Sequence, residues 1–207
     1  MAEQPLLIGL TGSIGAGKST VAEIIAEQYP VLIADRIARD IMEQDDAVRS
    51  ALIDAFGVQT YLSDGSLNRS FIAEIVFDDP QKLEFLNSIV HPPTIDRIME
   101  QAAALHANGA DVVFIESALV FEAGTQGLYD YVIAVICPVD KAVERIMKRD
   151  GLSEHDVRRR MRSQLPPDEK AERADFTIRN NGTLEDLRRS TTGVVGIVTK
   201  LGGRRNP

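Results

Sequence analysis

Residues Gly12, Ser13, Ile14, Gly15, Ala16, Gly17, Lys18 and Ser19 spell G-x-x-x-x-G-K-S, with Thr20 next. A loop of this spacing turns successive backbone N–H groups toward the phosphates of a nucleoside triphosphate. Its lysine reaches the far phosphates and its serine hydroxyl meets the accompanying Mg2+. The chemistry indicated is therefore phosphoryl transfer or triphosphate binding, with the acceptor still open. Transfer to a hydroxyl needs a carboxylate that orients the acceptor and gives its proton a place to go. Asp35, at the carboxyl end of the apolar run 31–34, is the candidate for that role. It would equally serve as the N-cap of a helix beginning at Arg36, and the two roles are compatible. Glu116 ends another apolar run, and either binds magnesium through water or caps the short segment 117–121. Glu122 is either a surface residue or a contact to the acceptor.

Arginines are the natural clamps for transferring phosphates, because the planar guanidinium is always charged and meets two oxygens at once. Arg145 and Arg149 stand four apart in a helical pattern, with Arg149 at its end. Arg158, Arg159, Arg160 and Arg162 follow in a stretch dense in charge, suited either to a mobile lid that excludes water or to a solvated helix face. Arg39, one turn beyond Asp35, is placed to reach an anionic acceptor. His91 precedes Pro92 and Pro93, and either contacts a ligand or begins a helix.

These side chains need a scaffold that brings distant segments together. Short apolar runs at 6–10, 31–34, 111–116, 131–137 and 175–178 read as strands, and the stretches between them carry helical spacing. Helices are expected at 20–28, 35–56, 69–77 and 80–89, from Pro92–Pro93 to about 106, at 139–149 with Val143, Ile146 and Met147 inward, and at 183–200. Five strands alternating with helices indicate an α/β protein with a parallel sheet covered on both faces. Ligands on such a sheet gather beyond the strands' carboxyl ends, where the loop at Gly12, Asp35 and Glu116 would converge. The helical stretch between the second and third strands far exceeds a simple crossover and implies an added helical subdomain.

The chain has 207 residues, 44% of them hydrophobic, and a net charge of −8, enough for one sizeable core and poorly suited to a nucleic-acid partner. Its single cysteine, Cys137, lies in a strand-like run and reads as buried filler, which excludes a disulfide framework and a thiolate metal site. Neither a leader segment nor an apolar run long enough for a membrane span is found, so a cytoplasmic protein with no membrane partner is expected. Residues 202–207 are expected to fray.

The segments 9–20 (GLTGSIGAGKST), 34–39 (ADRIAR), 64–69 (DGSLNR), 77–92 (FDDPQKLEFLNSIVHP), 119–122 (LVFE), 145–153 (RIMKRDGLS), 160–164 (RMRSQ) and 174–182 (ADFTIRNNG) together resemble the dephospho-CoA kinase family. The resemblance covers residues 6–190. It implies a single three-layer P-loop kinase domain over 1–207, with a five-stranded parallel sheet in the order 2-3-1-4-5. It further implies a helical CoA-binding lobe near 60–100, a lid near 150–170, and ATP with Mg2+ as the donor.

On this resemblance Asp35 matches the catalytic aspartate that activates the ribose 3′-hydroxyl of dephospho-CoA. Lys18 and Ser19 match the phosphate and magnesium residues, Arg149 an arginine flanking the nucleotide, Arg160 a lid arginine, and Asn181 with Gly182 the adenine-side turn. Arg39, Asn68, Arg69 and His91 match acceptor-side positions. Glu116 stands where the family usually has an aspartate, and Ile33 where it usually has the first of two aspartates. A monomer or weak homo-oligomer is expected. Two rival readings differ in function: a P-loop kinase for a nucleoside, nucleotide or other small acceptor, and a nucleotide-binding switch.

Overall fold

In the computed structural model, which describes residues 4–77 and 79–202, β1 (Leu6–Gly12) is buried along its whole length. Asp78, within one of the matching segments, and the expected frayed end from residue 203 onward lie outside the described residues. Among those described, β1, β2 (Val31–Ile33), β3 (Val112–Glu116), β4 (Tyr131–Ile136) and β5 (Phe176–Arg179) form one parallel sheet in the order β2-β3-β1-β4-β5. A central strand of a parallel sheet is covered on both faces, which is why β1 and β4 are apolar at nearly every position instead of alternating. Aspartates extend the ladder where β4 and β5 begin. Asp130 accepts a hydrogen bond from Leu7 N at 2.8 Å, and Asp175 accepts one from Val132 N at 2.8 Å.

Helices α1 (Lys18–Ala26) and α9 (Leu184–Val198) pack on one face of the sheet, joining Val21, Ile25, Leu187, Val195 and Val198 to Ile8, Leu10, Phe114, Ile133 and Val135. Thr183 and Asp186 form the capping box that starts α9. Helix α6 (Val139–Asp150) presents Val143 and Ile146 inward against Val157 of α7 (Glu154–Met161). Met147, expected inward, is instead 38% exposed. It stands one position past Ile146, about 100° around the helix, beyond the buried stripe. Helix α8 (Pro167–Arg173) lies against β4. Cys137 is buried, and that burial pushes its thiol pKa up.

The chain divides into two compact units. One takes in the described residues of Met1–Ile33 and Ala102–Pro207, and the other is Ala34–Gln101, beginning at the residue after β2 ends. The second unit contains α2 (Ala34–Gln44), α3 (Asp46–Phe56), α4 (Arg69–Phe77) and most of α5 (Pro80–Ala107). The helix expected over 35–56 is two helices, because the Asp45 carboxylate accepts from Ala47 N and Val48 N, both at 3.0 Å, and starts a new one. The break expected at Pro92–Pro93 does not occur: α5 runs through both prolines. Two prolines remove the donors that Ser88 and Ile89 carbonyls would use. The turn is held by buried Val90 and Thr94, and the Thr94 hydroxyl donates to Val90 O at 2.7 Å. Among the described residues no helix is long and apolar enough to cross a membrane.

Candidate active site

The loop between β1 and α1 is gripped from outside by β5 and α6. Gly12 has φ +151°, and a Cβ there would lie 2.2 Å from Val135 O; Gly17 has φ +97°, and its Cβ would lie 2.3 Å from Asn180 Nδ2. Only glycine satisfies both the backbone angle and the close approach at these ends of the loop. Asn180, buried just after β5, donates to Ala16 O at 2.9 Å, and Arg145 NH1 donates to Gly15 O at 3.4 Å. Across a planar trans peptide the next N–H points opposite to the carbonyl. With Ala16 O held by Asn180, Gly17 N–H is therefore aimed away from that support, at the start of α1, where the leading N–H groups of a helix lack intrahelical partners. Lys18 Nζ donates to Gly12 O at 2.9 Å, so the ammonium is folded back over the loop. Ser13 Oγ is buried without a partner, and Ser19 is exposed.

Glu116 ends β3, in register with Leu10 of β1 and Ile33 of β2, and is 7% exposed. It is thus a nearly buried carboxylate at the carboxyl end of the sheet, on the strand beside the one that feeds the loop. The turn after it is closed by Ser117, whose hydroxyl accepts from Leu119 N at 3.4 Å. Glu122 has a partner that sequence reasoning did not find. Its Oε1 lies 2.8 Å from Nζ of Lys170, a fully buried residue of α8, and accepts from Leu165 N at 2.9 Å. Lys170 also donates to Ala118 O at 2.7 Å. A straight-chain lysine in a charged stretch carries no local sign that its ammonium will be buried.

Of the arginines, Arg149 is 64% exposed at its side chain and forks onto its neighbour Asp150 at 2.7 and 2.9 Å. Hydrogen bonding from that guanidinium holds the Asp150 carboxyl below the usual range, and the charge of Arg160 adds to the effect. Arg158 bonds Glu154 at 2.8 Å and Asp140 at 3.0 Å, tying α7 to α6. Arg160 is exposed on α7. In the N-N-G turn, Asn181 and Gly182 are exposed and Lys141 Nζ donates to Asn181 O at 2.5 Å. The side chain that reaches the loop belongs to Asn180, one position earlier.

In the helical unit, α2 begins at Ala34, so Asp35 lies inside its first turn and not at an N-cap, exposed near the positive end of the helix. Arg39 is exposed on the same helix. Asn68 caps α4, accepting from Phe71 N at 3.3 Å and donating to Gln59 O at 3.1 Å. Arg69 pairs with Glu43 at 3.3 Å. His91 is half-buried within α5, and burial lowers its pKa. Among the described residues no group of three or more His, Cys, Asp or Glu is arranged to hold a metal ion.

A sequence model of the dephospho-CoA kinases matches residues 6–186, which include the loop, Glu116, the α6–α8 region and β5. The chain belongs to the dephospho-CoA kinase family. It is 39% identical to a dephospho-CoA kinase of Corynebacterium glutamicum over 191 residues, covering 92% of this chain and 98% of that one. Its fold is similar to the crystal structure of TT1252 from Thermus thermophilus, with a TM-score of 0.78 and 36% identity, covering 97% of this chain and 100% of that one. It is also similar to a dephospho-CoA kinase from Campylobacter jejuni, with a TM-score of 0.68 and 30% identity over 94% of this chain and 97% of that one. Membership of this family accounts for the P-loop kinase sheet order.

Proposed function

We propose that this protein transfers the γ-phosphoryl group of ATP to the ribose 3′-hydroxyl of dephospho-CoA, releasing CoA and ADP. The observation that carries the reading is the intact Gly12–Ser19 loop, held in shape by Asn180 and Arg145, in a member of the dephospho-CoA kinase family. The loop N–H groups and Lys18 hold the β- and γ-phosphates. Asp35 aligns the 3′-hydroxyl and accepts its proton as the new P–O bond forms. Arg149, freed from Asp150, and Arg160 of the lid offset charge that shifts toward the departing diphosphate. Asn181 and Gly182 flank the adenine. The helical unit, through Arg39, Asn68, Arg69 and His91, receives the acceptor, and Glu122 is a further acceptor-side residue, on the loop after β3.

Ser19 and Glu116 are the residues that would hold Mg2+. A hydroxyl and one carboxylate, with no group of three or more His, Cys, Asp or Glu arranged around a metal among the described residues, suit an ion that keeps most of its ligands as phosphate oxygens and water. When bound, magnesium would supply positive charge that offsets the charge of the transferring phosphates. The reading is tested by ADP release with dephospho-CoA, nucleosides and nucleoside monophosphates offered in turn. Dephospho-CoA alone should stimulate release, and Asp35→Asn should cut turnover by about 10²–10⁴-fold while leaving ATP binding near wild type. Stimulation by a nucleoside or nucleoside monophosphate in its place would overturn the assignment.

A further inference from the structure

One N–H of the phosphate loop is satisfied by a side chain from far along the sequence. Ser13 O accepts from Ala16 N at 3.1 Å and so points into the loop's own turn. Peptide planarity then directs the Ile14 N–H out of that turn, toward an acceptor from elsewhere. Gln164 supplies it: its Oε1 accepts from Ile14 N at 2.9 Å, across 150 residues of sequence. Gln164 lies three residues beyond the end of α7 and four beyond Arg160. The next residue, Leu165, is fastened as well, through its N–H to Glu122 and onward to buried Lys170. Two consecutive residues at the end of the lid are thus tied to two different loops, one following β1 and the other following β3.

We propose that Gln164 is a positioning residue that clasps the end of the lid to the phosphate loop, so that the placement of the lid and the shape of the loop are set together. The inference rests on the kinase reading for its activity consequences. A neutral carboxamide suits this place. It satisfies an outward N–H beside a triphosphate site without adding negative charge, and its reach matches the gap. With the clasp open, the lid would cover the site less completely. Water would then compete with the acceptor for the phosphoryl group, and Arg160 would be less firmly placed.

Gln164→Met keeps the length of the side chain and removes its acceptor oxygen, whereas Gln164→Glu keeps an acceptor oxygen at the same reach. Hydrogen exchange at the Ile14 amide of the unliganded protein should quicken by about three- to tenfold in Q164M and return to the wild-type rate in Q164E. In steady-state assays Q164M should lower kcat by a similar factor and raise the ratio of ADP released to CoA formed, with KM for dephospho-CoA unchanged. Unchanged Ile14 exchange in Q164M would overturn the clasp. So would a Q164M enzyme with wild-type kcat and a wild-type ADP-to-CoA ratio. Failure of the wild-type protein to make CoA would instead refute the kinase reading, and Ile14 exchange would still decide the clasp.

Discussion

Replacing Lys170 with Met probes the support beneath the loop that follows β3. Lys170 is fully buried, with its Nζ 2.7 Å from Ala118 O and 2.8 Å from Glu122 Oε1. Methionine fills nearly the same straight volume, so little of the cost comes from a cavity. The cost falls on the groups left behind. Among the described residues Ala118 O keeps the longer bond from Thr11 Oγ1 at 3.3 Å, and Glu122, 17% exposed at its side chain, keeps Leu165 N. Removing one member of a buried ion pair costs about 3–5 kcal/mol. The remaining bonds and the partial exposure of Glu122 put K170M at the lower end, about 3 kcal/mol. For a chain of this size that lowers the thermal midpoint by roughly 6–12 °C. Removing both charges in a K170M/E122M double variant should recover much of the loss, since no uncompensated charge remains. Urea and thermal unfolding of wild type, both singles and the double measure this directly. A K170M protein within 1 kcal/mol of wild type, or a double variant whose cost is the sum of the two singles, would refute the reasoning.

Two further perturbations address the loop and the helical unit. Gly17→Ala places a methyl group 2.3 Å from Asn180 Nδ2 at a positive φ, so the Asn180–Ala16 bond must break and the loop must shift. Steady-state kinetics should show kcat/KM for ATP reduced by about 100-fold or more, and retention of near wild-type kinetics would show that the loop does not depend on this support. For His91, burial lowers the folded-state pKa below its ordinary value of 6.5. Between those two values the unfolded chain binds more protons, so stability declines as pH falls through 6.5 toward the lowered folded pKa, and is unaffected by this group above 6.5. Unfolding free energies at pH 7.5 and about 5.5 should therefore differ less in His91→Gln than in wild type. Equal differences in the two proteins would contradict this.

The parts of the molecule legible in the sequence are those whose chemistry is local. Close approach of Val135 O and Asn180 to the loop demands glycine at Gly12 and Gly17, and that demand appears directly as spacing. The apolar runs that became β1, β3 and β4 are long enough to be read as buried parallel strands. In the closing helix, Thr183 and Asp186 stand at the spacing of a capping box, which the structure contains. What escaped notice depends on residues far apart in sequence. Gln164 on Ile14, Asn180 on Ala16 and Lys170 on Glu122 join segments more than 40 residues apart, and each involves a polar side chain of a kind ordinarily left in water. Asn180 and Asn181 are chemically identical neighbours, so only strand orientation at the end of β5 decides which one faces the loop. Pro92 and Pro93 misled for the opposite reason: local propensity forbids what the packing of Val90 and Thr94 sustains.

Product analysis of the wild-type protein tests the central claim most directly. ATP and dephospho-CoA are incubated with enzyme and magnesium, ADP and CoA are quantified together, and the position of the new phosphate is read by phosphorus NMR. The account predicts one ADP for each CoA, with the added phosphomonoester on the ribose 3′-oxygen. ADP formed without an acceptor product, or a phosphate carried at any other position, would contradict it.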